Sequence, residues 1–501
     1  MAGKLYRHMN LHLAFSGAAQ KSPDKPALFW GENEFSYGVL LAQSRWVGYR
    51  LQHQFGVRPG DHVGLWLRNC PEFVPALFGI LMAGAASVPI NNFLKPDEVN
   101  FILQDAGVDV LLTHGPLGEA LPALSAARPG LRAVLIEDLI QSPAGGGPDF
   151  APAPTTEGDL AVIVYTSGTT GRPKGAMLSH GNLLHNVESC RQVLAAIEYD
   201  RFAVLLPMFH SFMLCVGTFL PLIVGGSIVL VRSVHPLKNA LQEIIHRQAT
   251  ILPAIPQLFR ALVDGHVPTA LPLRICVSGA APLPVQTLQD FNRKFPVPLL
   301  EGYGLSEASP VVSMNPIPGP WKAGSIGKPV PDVELCVQDD EGVVLPPRQV
   351  GELCVRGGNV MIGYWNQPDE TAKAMRGGWL LTGDIGYCDE DGYFYITDRK
   401  KDMLLVNGLN VYPREIEEVI YQVPGVAEVA VVGLPDPRKG EHPVAFVVAG
   451  DGVQLNEKLI LQYVRGKLAD YKVPRRISFL PALPRNATGK ILKTELRALP
   501  H

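Results

Sequence analysis

The apolar positions along the first part of the chain fall into two periods. HVGLWL (62–67) is a short buried-looking run and predicts a strand, whereas PEFVPALFGILMAGA (71–85) is long enough for a helix opening near Pro71. SVPI predicts a strand, EVNFILQDAG a helix and DVLLT another strand. Strands alternating with helices predict a parallel sheet covered by helices. The stretch FVPALFGILMAGAASVPI is apolar enough to resemble a membrane span. Its Pro and Gly residues and the strand patterns beside it favour a buried helix followed by a strand.

SPAGGGPDFAPAPTTEG (142–158) interrupts the pattern and predicts a linker or surface excursion. DLAVIVYTS then reads as a buried strand, and FAVLLPM, SIVLVRS, ALQEIIHRQ, RICVSG and VQTLQDFNRKF continue the alternation. After about residue 325 the texture changes. VELCVQDDEG, ELCVRGG and GYFYITD predict strands separated by turns, an antiparallel unit. From Val411 a third texture begins. VYPREIEEVIYQ places Pro413 in a first helical turn and Ile416, Val419 and Ile420 on one face. VAEVAVVG and HPVAFVVAG are strand-like and LNEKLILQYVRGKL is an amphipathic helix, enough for a separate α+β domain.

Composition narrows the function. The 501 residues suggest about three structural units. With 47% hydrophobic and 18% charged residues the chain is globular, and a net charge of −3 argues against a nucleic-acid surface. Seven cysteines form no CxxC pair, so neither a disulfide framework nor a zinc cluster is expected. The first residues carry no signal-peptide pattern and the final RALPH is no peroxisomal address. A cytoplasmic location is expected.

The strongest chemical signal is YTSGTTGRPKG (165–175). It lacks the GxxxxGK[ST] spacing of a Walker A loop, yet glycines, hydroxyls and a lysine after a buried strand suit an anion. EGYGLSE (301–307), LLTGDIG (380–386), DRKKDMLLVNGLNVYP (398–413) and PRNATGK (484–490) follow in order. Together the five resemble the core motifs of the adenylate-forming (AMP-binding) superfamily. The stretch DRKKDMLLVNGLNVYPREIEEVI most resembles the bacterial medium- and long-chain fatty-acid–CoA ligases.

The resemblance implies a large N-terminal AMP-binding domain (1–400) of helix-covered sheets with a distorted β-barrel subdomain. A hinge at Lys401 and a small mobile α+β domain (401–501) would follow. It implies ATP-dependent activation of a carboxylate to acyl-AMP, then thioester formation with CoA. Thr166, Ser167, Gly168, Thr169, Thr170 and Gly171 would wrap the outer phosphates, with Lys174 nearby. Glu307 and Thr166 would hold Mg²⁺. Tyr303 would lie along the adenine, while Ser278, Gly279, Ala280, Ala281, Glu301 and Gly302 line its slot. Asp384 would bind the ribose hydroxyls and Arg399 would reach the nucleotide. Ser306 stands where Thr is commoner in the family and keeps the hydroxyl.

Lys490 resembles the family's C-terminal lysine, which bridges the carboxylate and the α-phosphate; His210 resembles a gate at the carboxylate and thiol entry. Leu214 stands where some long-chain relatives carry a gate Trp. Gly408 would approach the CoA tunnel after rotation of the small domain. Gly304, where acetate-specific relatives carry Trp, would leave the acyl pocket open beside His210, and LCVGTFLPLIVGG (214–226) could line it or simply pack in the core. A medium- or long-chain fatty acid is therefore expected, with an aryl or other carboxylate as the alternative. Transfer to a carrier-protein thiol and a nucleotide-binding regulator without turnover are further alternatives. Transient membrane contact and a homodimer are compatible with the resemblance; an integral membrane segment and nucleic acid are not expected.

Overall fold

A computed structural model describes residues 9–141, 150–166, 173–436, 440–450, 452–485 and 490–499. The fully buried runs Ile251–Ala254, Ile275–Ser278 and Ser227–Leu230 lie inside a nine-stranded sheet. Its order is Lys328–Pro329, Val311–Met314, Leu299–Gly304, Ile275–Ser278, Ile251–Ala254, Arg201–Val204, Ser227–Leu230, Pro26–Trp30 and Asn33–Ser36. The strands from Leu299–Gly304 to Pro26–Trp30 are parallel, and both edges are antiparallel. A seven-stranded sheet runs Gly363–Tyr364, Lys174–Ser179, Leu160–Thr166, Ala86–Pro89, His62–Trp66, Val110–Thr113 and Arg132–Leu135. Central parallel strands are apolar on both faces because helices cover both sides.

The antiparallel unit has five strands: Val333–Gln338, Gly351–Gly357, Trp379–Cys388 and Met375–Arg376 in order, with Phe394–Arg399 also paired to Trp379–Cys388. A bridge between Gly327 and Phe394 ties it to the edge of the nine-stranded sheet, beside Lys328–Pro329. The small C-terminal domain carries a second five-stranded sheet. Leu409–Val411, Leu404–Val406, Gly440–Ala449 and Val426–Asp436 lie in order, with Arg476–Phe479 beside Gly440–Ala449. Helices Pro413–Tyr421 and Glu457–Arg465 bury Ile416, Ile420, Ile460 and Val464 in its core.

Two apolar segments that were ambiguous in sequence prove to be core. Every residue of helix Phe73–Met82 is buried, as expected of a helix that is apolar all round. It packs on helix Tyr37–His53 so closely that a Cβ on Gly79 would stand 2.5 Å from the Val47 side chain and 3.0 Å from the Ser44 carbonyl. The Phe78 ring stacks on Phe15 at 4.1 Å. Among the described residues no helix is long and apolar enough to cross a membrane. The segment 214–226 is also core. Met213–Phe219 forms a wide π-helical turn, Leu220–Val224 continues it, and the cleft described below is not lined by it.

The predicted linker is only partly one. Phe150 is buried, its carbonyl accepts from Arg45 at 2.5 Å, and the Ala153 N–H donates to Met82 at 2.8 Å. The described part of that segment is thus strapped across the buried helix. Because the Gly79 contact includes backbone, Gly79→Val should destabilise the large domain by about 1–3 kcal/mol, read as a lower urea midpoint with unchanged slope.

Candidate functional site

The C-terminal ends of parallel strands are where open α/β sheets leave ligand crevices. Here Leu160–Thr166, Ile275–Ser278 and Leu299–Gly304 all end at one cleft of about 2030 Å³. Thr166, Lys174, His210, Gly279, Ala280 and Ala281 reach it from the large domain. Glu301, Gly302, Tyr303, Gly304, Ser306 and Glu307 reach it from one continuous stretch. Asp384 and Arg399 come from the antiparallel unit, Lys401 from the turn after it, and Lys490 from the small domain. Residues 167–171 of the expected phosphate loop (Ser167, Gly168, Thr169, Thr170 and Gly171) lie outside the described residues. At the base of that loop Thr166 and Lys174 face each other in antiparallel register.

Asp384 organises the centre. It is buried, its Oδ2 accepts from the Tyr303 hydroxyl at 2.5 Å, and its Oδ1 lies 3.0 Å from Arg399 Nε. Asp384 and Arg399 are direct cross-strand partners, so the sheet itself sets this pair. A carboxylate offers about four lone-pair sites, which leaves Asp384 capacity for further donors. Lys490 is half-buried in the same cleft. Desolvation first, and then the charges of Arg399 and Lys401, bring its pKa down from 10.5 to about 8.

A second network joins Lys174 to the opposite wall. The Lys174 ammonium pairs with Glu370 and lies 5.3 Å from the Tyr364 ring centroid, and the Tyr364 hydroxyl donates to Glu307 Oε1 at 2.8 Å. Lys174 and a second partner, Lys373, pull the Glu370 carboxyl down to about 2. Sequence reasoning missed Glu370 and Tyr364. They lie far along the chain, and only the pairing of Gly363–Tyr364 with the strand that begins at Lys174 brings them near.

His210 lines the cleft beside Ser211, whose hydroxyl is 2.9 Å from that of Ser306. Burial lowers the His210 pKa to about 4, and its Nδ1 accepts from the Phe212 N–H at 3.3 Å. The ring is therefore neutral at physiological pH, with its proton on Nε2. Ala280 holds φ of +65°, an uncommon conformation for a residue with a Cβ, at the adenine-slot segment.

At two expected site residues the packing adds a second role. The absent side chain of Gly304 cannot be read simply as an open acyl channel. A Cβ there would stand 2.1 Å from the Pro310 carbonyl oxygen, so strand packing already demands glycine. Glu301 borders the slot, and its buried carboxylate has partners of its own: Oε1 accepts from the Leu283 N–H at 3.0 Å, and Arg414 of the small domain lies 3.8 Å away. Burial raises its pKa to about 7 against the opposing pull of Arg414.

Lys401 is exposed in the turn between strands Phe394–Arg399 and Leu404–Val406, where the Asp402 N–H donates back to the Arg399 carbonyl at 2.9 Å. Gly408 lies outside the cleft, in the exposed turn after Leu404–Val406, with φ of +77°. The structure thus holds Lys490 in the cleft and Gly408 away from it.

Comparison with known proteins extends this geometry. The AMP-binding enzyme family matches residues 15–365, and its C-terminal domain matches 415–490. A long-chain-fatty-acid–CoA ligase of Bacillus subtilis (strain 168) is 35% identical, covering 97% of this chain and 94% of its own. A feruloyl-CoA synthase of Amycolatopsis sp is also 35% identical, covering 96% of each chain. The crystal structure of an anthranilate–CoA ligase with anthranoyl-AMP superposes with a TM-score of 0.93 at 30% identity, over 99% of this chain and 98% of that one.

The close approach at Gly304 has a direct check. Gly304→Ala should lower the melting temperature and weaken AMP binding, because the added methyl meets backbone. An unchanged melt would show that the strands yield at no cost.

Proposed function

Because the chain belongs to the AMP-binding, adenylate-forming enzymes and is an acid–thiol ligase of that family, we propose that it activates a medium- or long-chain fatty acid with ATP and transfers the acyl group to CoA. The observation that carries the chemistry is the meeting of Tyr303, Asp384, Arg399 and Lys490 from two domains in one cleft. The fatty-acid reading leans on the ligase relatives that match nearly the whole chain. An aromatic carboxylate is the second reading, favoured by the feruloyl-CoA synthase and the anthranilate–CoA ligase.

A carboxylate is a poor acyl donor because oxide would have to leave. Attack of its oxygen on the α-phosphate of ATP forms the P–O bond of acyl-AMP and expels pyrophosphate. The CoA thiol then attacks the acyl carbon, loses its proton, and AMP leaves with the electron pair of the broken C–O bond. Charge accumulates on the α-phosphate oxygens in the first step, so fixed cations there lower its barrier. Lys490 is assigned that role, bridging the carboxylate and the α-phosphate. Asp384 holds the ribose hydroxyls while Arg399 and Tyr303 brace it, and Tyr303 also lies along the adenine. Thr166, Lys174 and the loop between them take the outer phosphates. Neutral His210 guards the carboxylate and thiol entry.

Glu307 and the Thr166 hydroxyl form a sparse set of oxygen donors. Among the described residues no cluster of three His, Cys, Asp or Glu could hold a metal unaided. That sparseness fits Mg²⁺, which keeps waters and takes phosphate oxygens as ligands. When bound, the ion would neutralise charge on the phosphates. Lys401 is assigned as the hinge between residues 1–400 and 401–501, and Gly408 as the residue brought to the CoA tunnel when the small domain turns.

A panel of carboxylates scored by CoA-dependent AMP formation tests the reading: medium- and long-chain fatty acids should outrun ferulate and anthranilate. Preference for ferulate would establish the aryl reading, a requirement for carrier protein would replace CoA, and no pyrophosphate release with any acid would overturn the enzyme. Lys490→Ala should raise the adenylation barrier by roughly 3–4 kcal/mol and spare thioester formation from supplied acyl-AMP. The lysine is charged below its pKa of about 8 and loses the charge above it. The kcat/KM for adenylation should therefore fall as pH rises through about 8, and Lys490→Arg should move that limb upward.

A further inference from the structure

Arg414 opens the helix Pro413–Tyr421 and is 8% exposed. Its guanidinium lies between two acids: Glu301 of the large domain at 3.8 Å and Glu418 of its own helix at 4.0 Å. Glu301 Oε2 and Arg414 Nη1 are both buried without a hydrogen bond among the described residues. Burial pushes both carboxyls up, and in each case Arg414 is the strongest opposing influence. Removing it would leave the buried Glu301 and the partly exposed Glu418 without their shared cation.

The same helix reaches the large domain at two further points. The Arg414 N–H donates to Asp398 Oδ2 at 2.9 Å, and the Val285 backbone helps hold the Glu418 carboxylate. On its other side Glu417 pairs with Lys493 at 3.0 Å, three residues beyond Lys490. One helix therefore carries both the contact with Glu301, at the adenine-slot strand, through Arg414 and the contact with the segment of Lys490 through Glu417.

We propose that Arg414 is a positioning residue for adenylation: its pairing with Glu301 docks the small domain so that Lys490 stands over the nucleotide site. This rests on the assignment of Lys490 to the first step. Arg414 touches no reacting atom. It acts by fixing the orientation of one domain against the other, and a displacement of about 1 Å at a reacting group is worth about a hundredfold in rate. Glu301 is then a docking post for the small domain as well as part of the slot wall.

The full-length protein tests this by its two half-reactions. Wild-type pyrophosphate release with a fatty acid is measured first; its failure would remove the functional reading itself. With that activity present, Arg414→Met should cut the kcat for pyrophosphate release about 10- to 100-fold, with the KM for ATP little changed. Thioester formation from supplied acyl-AMP and CoA should keep its wild-type rate. Arg414→Lys, which keeps the charge and tests the case in which the Met variant does not fold, should regain part of the lost adenylation. Glu301→Gln combined with Arg414→Met should be no slower in adenylation than the slower single variant. Wild-type adenylation in a folded Arg414→Met, equal loss of both half-reactions, or additive losses in the double variant would overturn the proposal.

Discussion

The ion pair of Arg399 with Asp384, made across adjacent strands and sealed by the Tyr303 hydroxyl, is the interaction on which the rest of the site depends. It fixes a carboxylate with remaining acceptor capacity at the centre of a desolvated cleft. It also sets the field felt by Lys490. That lysine is held at a cost, of desolvation first and of repulsion by Arg399 and Lys401 second, which brings its pKa to about 8. An incoming polyanion would relieve the same repulsion. The cleft is thus electrostatically prepared for phosphate before any phosphate arrives, which is the condition under which fixed charges lower a barrier most.

That preparation rests on the backbone. Three parallel strands end at the cleft, and their runs of buried apolar residues leave no freedom of register. Where the chain turns from strand to slot, side chains give way to close backbone approaches. Gly304 sits against the Pro310 carbonyl, and Ala280 accepts a left-handed conformation. The polar residues then attach to surfaces that cannot shift, so Tyr303 before Gly304 and Ser306 and Glu307 after it all reach the cleft within a few residues of chain.

The small domain meets this rigid half through charge. Among the described residues its contacts with the large domain include the ion pair of Arg414 with Glu301 and the hydrogen bond from the Arg414 N–H to Asp398. Buried ion pairs of this kind give orientation more readily than net stability, because desolvation consumes much of the Coulomb gain. An apolar interface of similar size would hold more firmly and release less easily. The chemistry assigned to the cleft needs Lys490 present in one step and a thiol admitted in the next. An interface of paired charges suits a domain that must dock accurately without docking permanently.

Much of this was legible in the chain. Strand and helix periods located the parallel layers, the antiparallel unit and the C-terminal domain, because burial writes itself into apolar spacing. The ordered motifs pointed to Thr166, Lys174, Tyr303, Glu307, Asp384, Arg399 and Lys490, which share a cleft, since phosphate and ribose chemistry constrains residue type at short range. Partners far apart in sequence were invisible: Glu370 for Lys174, Tyr364 for Glu307, Arg414 for Glu301. Nothing in local spacing records which distant side chain will neutralise a charge. The role of Gly304 was likewise open, since a glycine looks the same whether it makes room for ligand or for backbone. Sequence alone determined the layers, the family and the short-range chemistry. Tertiary structure alone decided which charges pair, why Lys490 is depressed and which glycine the backbone requires, because each depends on distances between segments that only folding brings together.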